Sequence, residues 1–189
     1  MPRKPDRELE SRILNAAYRL WKEQGEHGLT MRAVAKLART TTPTLYERFK
    51  DKNALMVALR SRAQQMLFDA VQHAKSIAEM CRIALEFTAG HSHEYELVAK
   101  DWAVRLAKKD PTPTFDFVKE KLAHQLGGSP DDHVQLALSL TMLYHGTSMF
   151  MLSDQLDAET ASFLKEACIT AVNTLVQEAE RKSRRRAAD

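Results

Sequence analysis

Apolar residues in this chain recur every three to four positions and rarely alternate, a period that admits helices and little else. Ile13, Leu14, Ala17, Leu20 and Trp21 make one apolar stripe on a helix predicted over Arg7 to Gln24, and the Gly25 to Gly28 stretch ends it. Thr30 can cap a second helix that carries Met31, Val34, Ala35 and Leu37 and breaks near Arg39. A third, short helix is predicted from Thr41 to about Phe49, with Pro43 in the first turn, where a missing N–H removes no hydrogen bond. Asp51 caps a long fourth helix that continues towards His73. Further helices are expected near Ile77 to Ala89, Ser92 to Lys108, Thr114 to Leu126, Pro130 to Leu152 and Ala158 to Arg186. Gly127 and Gly128 stop one of them, and Ser129, Pro130, Asp131 and Asp132 start the next. The expected class is all-α.

A chain of 189 residues with 44% hydrophobic content can bury a real core. Its net charge of +3 hides a division: Met1 to Lys52 holds 12 Lys/Arg against 7 Asp/Glu, whereas Asn53 to Glu180 holds 11 against 17. A basic head on an acidic body points to an anionic partner met by the N-terminal part. The first thirty residues contain no apolar run that a signal peptide requires, so the expected compartment is cytoplasmic. Cys81 and Cys168 stand apart in apolar helical stretches and read as buried, reduced thiols.

The stretch TTTPTLYERFKDKNAL, Thr40 to Leu55, carries the functional signal. Two short helices separated by a tight turn and preceded by a longer one form a helix-turn-helix. In such a unit the second short helix enters the major groove, its N-terminal residues reaching base edges while flanking groups hold phosphates. Thr41, Thr42 and Thr44 offer hydroxyls and methyls suited to bases or phosphates, and Pro43 can add an apolar contact. Tyr46, one turn beyond Thr42, can reach a phosphate oxygen, while Leu45 and Phe49 face the other way, into a small core. Arg48, Lys50 and Lys52 supply positive charge, Lys52 beside the N-terminus of the fourth helix, where free N–H groups favour an anion.

These residues resemble the N-terminal signature of the tetracycline-repressor (TetR/AcrR) family. Thr30, Val34, Ala35 and Ala38, then Arg39-Thr40-Thr41, then Leu45, Tyr46, Phe49, Lys52 and Leu55 stand at matching spacing over about the first 55 residues. Two positions depart from the pattern. Arg39 replaces the usual turn glycine, so it must either tolerate a positive φ or sit in a different turn, and it can serve as a further phosphate contact. Thr40 replaces the usual apolar residue. The resemblance implies a three-helix DNA-binding head over 1–51, with Thr30 and Arg39 among the contacts, and a larger helical domain over 52–189 that binds an effector and dimerises. The implied partners are double-stranded DNA carrying a palindromic operator, a second copy of the chain in a homodimer, and a small-molecule effector that releases a repressor. A regulator without small-molecule control is the alternative.

For an effector pocket the candidates are Phe68, Phe87, Tyr95, Trp102 and Phe115, together with Phe117, Met142, Tyr144, His145 and Met149; collectively they suit a bulky, mostly apolar ligand. The helix around LALSLTMLYHGTSMFML is apolar almost all round, but its polar residues and the lack of flanking Lys/Arg anchors argue against a membrane span. It suits a position between a pocket and a partner subunit, with Gly146 permitting close approach. Leu164, Cys168, Ala171 and Leu175 recur at 4-3-4 spacing, a seam for helix packing across a two-fold axis. A two-fold pair would set its recognition helices about 34 Å apart, one turn of DNA. His91, His93 and Glu94 are too loosely spaced for a metal site and read as a solvated helix start. The sequence holds no nucleophile-base set, metal cluster or phosphate-binding glycine loop, so no catalytic residues, metal or cofactor are expected.

Overall fold

The structure, a computed structural model, describes residues 7–108, 110, 112–153 and 155–186. The first six residues of the expected 1–51 head lie outside that set. Among the described residues there is no strand, and the elements run in the order α1 (Arg7–Gly28), α2 (Met31–Leu37), α3 (Thr42–Arg48), α4 (Lys52–Val71), α5 (Ile77–Gly90), α6 (Ser92–Ala107), α7 (Pro113–Leu126), a 3-10 turn (Pro130–His133), α8 (Val134–Met151) and α9 (Ala158–Arg186). The class is all-α, as the apolar period predicts.

The chain separates into two compact units, Met1–Ala63 and Gln64–Asp189, so α4 lends residues to both. The sequence division after residue 51 falls at the cap of α4, whereas the units part inside that helix. The reason is packing: Leu55, Met56, Leu59 and Ala63 are all buried and belong to the first unit.

In the first unit α1 packs on α2, and α2 on α3. Ile13, Ala17, Leu29, Val34, Leu45 and Leu55 are fully sealed from solvent, and Trp21 and Phe49 nearly so. Burying a side chain of this size contributes roughly 1.5–3 kcal/mol each. The expected end of the first helix at Gln24 is a break rather than a stop. Gly25 takes φ 65 and ψ −160, a region open in practice only to glycine, and helix resumes to Gly28.

In the second unit α8 and α9 pack on one another and both on α5, around Ile77, Cys81, Leu85, Leu140, Ile169 and Val172. The helix expected from Pro130 opens as a 3-10 turn over Pro130–His133 and becomes α-helical at Val134. The Ser129 amide and hydroxyl donate to the Asp132 carboxylate at 2.7 and 2.9 Å, which holds that carboxyl below its usual range. No helix among the described residues is long and apolar enough to cross a membrane.

Candidate nucleic-acid interface and ligand cavity

Local chemistry fixes the two short helices of the first unit. The Thr30 hydroxyl accepts from the Ala33 amide at 3.2 Å, and the Thr41 hydroxyl accepts from the Thr44 amide at 3.2 Å, so each helix begins on a threonine cap. Between them the chain reverses through a closed turn. The Thr40 amide donates to the Ala35 carbonyl at 3.0 Å and the Arg39 amide to the Lys36 carbonyl at 3.2 Å, the pair of bonds that ends a helix on a left-handed residue. Arg39 is that residue, with φ 53; of the two possibilities the sequence left open, the turn keeps its shape and arginine bears the positive φ.

Leu45 and Phe49 are buried and anchor α3 to its neighbours, while Tyr46 on the opposite side is half exposed. Thr42 and Thr44 are partly exposed and Pro43 is exposed beside them. Arg39 and Lys50 are exposed and Arg48 partly so; among the described residues none of the three enters an ion pair or a side-chain hydrogen bond. Two expectations change in detail. The hydroxyl of Thr41 is committed to capping and lies 2.8 Å from that of Thr44, which leaves Thr42 as the least committed of the three. The start of α4 is not an open anion site, because Asp51 accepts from the Ala54 amide at 2.8 Å, and the Lys52 ammonium donates to the Glu26 carbonyl at 2.8 Å.

The second unit holds a cavity of about 70 Å³. Leu67, Met80, Val98, Leu140 and Val172 make its apolar wall, Trp102 and Phe115 meet edge to face at 6.0 Å, and Gln64, Thr141, Tyr144 and His145 bring polar atoms to it. Among the described lining residues none is Asp, Glu, Lys or Arg. Burial lowers the His145 pKa to about 4, so the imidazole is neutral at physiological pH. The Tyr95 hydroxyl donates to the His145 carbonyl at 3.1 Å and stands 3.3 Å from its Nδ1. Behind the wall, Thr88 links Tyr144 and Ser148 at 3.0 and 3.3 Å, and burial pushes the Tyr144 phenol up. Such a surface can bind an uncharged, largely apolar molecule with a few directed hydrogen bonds; it assembles no activated nucleophile.

Residues 13–59 match the family model described as bacterial regulatory proteins, tetR family. That segment carries the family's N-terminal domain. The matched span contains both capping threonines and all of α3. Solved structures share the fold: the multidrug binding protein EbrR complexed with imidazole is 22% identical at a TM-score of 0.68, covering 93% of each chain. EbrR complexed with proflavin is 21% identical at a TM-score of 0.60, over 88% of this chain and 99% of that one. A TetR-family regulator from Haemophilus influenzae, HI0893, is 21% identical at 0.58, over 89% and 98%. No curated protein matches by sequence.

The expected pocket residues separate into groups. Trp102, Phe115, Tyr144 and His145 line the cavity, and Tyr95 stands behind His145. Phe68 and Phe117 are outside the lining and meet each other edge on at 5.6 Å, while Phe87 stacks on His91 at 4.5 Å. Met142 and Met149 are 61% and 70% exposed and do not line it. A helix apolar on all sides gives no period by which to tell its inward face, and these two lie outward together with Phe150. Gly146 faces open space, since an added Cβ would meet nothing within 4 Å.

Of the expected seam, Leu175 is exposed at its edge and Leu164 and Ala171 are partly covered. Cys168 is buried, with its sulfur 3.8 Å from that of Cys81, so it packs within the unit and cannot face a second subunit. Phe163, 72% exposed, is the outward residue that the spacing argument missed. His91 is engaged locally, its Nδ1 3.2 Å from the Phe87 carbonyl; among the described residues no three His, Cys, Asp or Glu converge on a metal position. Gln64, Cys81 and Thr141 also escaped the sequence reading of the cavity. For Gln64 a signal existed: it stands three and seven residues before Leu67 and Val71, a glutamine in an apolar register.

Proposed function

We infer that this protein is a homodimeric repressor, released from a palindromic operator by a small, mostly apolar effector, and that it works in the cytoplasm. The observation that carries the reading is a cavity in the second unit, uncharged among its described lining residues, in a chain whose first unit presents Tyr46, Arg48 and Lys50 outward on and beside α3. Arg39, Arg48 and Lys50 pair with phosphates and supply most of the affinity, which is therefore salt-dependent. Thr42, with Pro43 and Thr44, reads bases from the first turn of α3.

Met142, Met149 and Phe150 on α8 and Phe163 on α9 form the apolar surface that a second copy covers, with Gly146 and Leu175 on the same contact. The two copies then present two recognition helices to successive major grooves, about 34 Å apart. An effector that binds better to the DNA-incompatible arrangement shifts the population towards it by that difference in affinity and no more. The multidrug binding function printed for the fold neighbour EbrR supports a small-molecule ligand here.

The test is a mobility-shift assay on DNA upstream of the protein's own gene, with and without a panel of apolar compounds. Retarded DNA that a compound releases is the expected result. Retardation that no compound relieves would reject the effector, and no retardation at low salt would reject this operator.

A further inference from the structure

Gln64 is 4% exposed, lines the cavity, and carries an amide whose two ends are treated differently. Its Oε1 accepts from the Arg105 guanidinium at 3.2 Å, while no acceptor of the protein reaches its Nε2. The arginine fixes which end is which, because turning the amide over would set N–H against N–H. Arg105 is itself held, donating to the Asp110 carboxylate at 3.3 Å and to the Asp110 carbonyl at 3.3 Å. A buried amide N–H left without an acceptor costs about 1–3 kcal/mol, so nearly all side chains in this position are paired. The acceptor that Nε2 lacks must come from whatever occupies the cavity.

The geometry points to an effector that is uncharged and aromatic or polycyclic, bearing one carbonyl-type acceptor, with Gln64 as the specificity-determining donor. This rests on the cavity being the effector site. An uncharged ligand suits it: among the described lining residues there is no carboxylate to pair a cation, and the Arg105 guanidinium is engaged by Gln64 and Asp110. Trp102 and Phe115, set edge to face, offer flat surface to a ring, and the aliphatic wall opposite requires no further polarity of the ligand. A site built to give a hydrogen bond rejects the analogue that cannot take it, because that analogue leaves the donor buried and unpaired.

The experiment is equilibrium dialysis of the full-length protein against 9-fluorenone and fluorene, matched in shape and differing in the carbonyl, and against proflavin as a cationic probe. Fluorenone is expected to bind about tenfold more tightly than fluorene. In Gln64→Leu and in Gln64→Met that ratio falls to near one, while fluorene binding is kept or improved. If the wild-type protein binds fluorenone and fluorene equally, or prefers proflavin, the donor assignment is overturned and the cavity reading stands. If neither binds, or if binding survives Ala84→Trp, which fills the cavity, the effector-site reading falls and takes this inference with it.

Discussion

The hydroxyls of Thr41 and Thr44 meet at 2.8 Å across the first turn of α3, and the Thr41 oxygen also accepts the Thr44 amide. Two of the three threonines proposed to face a groove are thereby tied to shaping the helix start. Thr41→Ala should cost about 1 kcal/mol of stability and weaken DNA binding at every position alike. Thr42→Ala should leave the melting temperature unchanged and alter preference at particular base pairs. Thermal denaturation beside competition binding over single-base operator variants separates the two, and a uniform loss for Thr42→Ala would remove its reading role.

Arg39→Gly tests the left-handed turn. Arginine at φ 53 bears roughly 1 kcal/mol that glycine does not, so the variant should be as stable or more stable, by up to that amount. The salt dependence of DNA binding should nonetheless flatten by about one phosphate contact. A slope that stays the same while stability rises would assign Arg39 a purely structural cost.

Lys50 and Lys52 should behave differently although they are two residues apart. Lys50→Ala should lower the salt slope by about one with little effect on stability. Lys52→Ala removes the hydrogen bond to the Glu26 carbonyl and should lower stability by about 1 kcal/mol as well. Measured together, salt slopes and melting curves show whether the Lys52 ammonium is free to leave that carbonyl for a phosphate.

The first unit was legible from the sequence because its signals are local. Thr30 and Thr41 each cap the helix that begins at the next residue by accepting the amide three residues on, and Leu45 and Phe49 are one turn apart. The cavity was legible only in part, since Gln64, Cys81, Trp102 and His145 come from four helices and their meeting depends on packing that no period records. On α8 the apolar residues run all round, so Met142 and Met149 could not be told from Leu140 by spacing, and only packing sorts them.

His145 gives the second unit a pH dependence of defined sign. Its folded pKa, about 4, lies below the ordinary 6.5, so the unfolded chain binds a proton that the folded chain refuses. This contribution, on the order of 3 kcal/mol, is complete above pH 6.5 and is lost as pH falls towards 4. His145→Gln should flatten the fall in stability across that window, as followed by chemical denaturation at several pH values. An unchanged profile would place the dependence elsewhere.

Phe163→Glu should yield monomers on sizing and cost little stability, because the ring it removes is mostly in solvent within a single chain. Cys168→Ser should do the reverse. It places a hydroxyl in a packed core against Cys81, lowering stability by about 1–3 kcal/mol while leaving the subunit count alone. A Phe163→Glu protein that still elutes as a dimer would reject the α8 and α9 surface as the contact.

The bend between α2 and α3 has already spent its amides: those of Arg39 and Thr40 go back to the carbonyls of Lys36 and Ala35. The two short helices therefore meet a duplex as one stiff elbow, and only side-chain rotation is left to absorb a groove that is too wide or too narrow. On the proposed reading such a head would tolerate few DNA shapes, and part of its selectivity among sequences would be set before any base is touched.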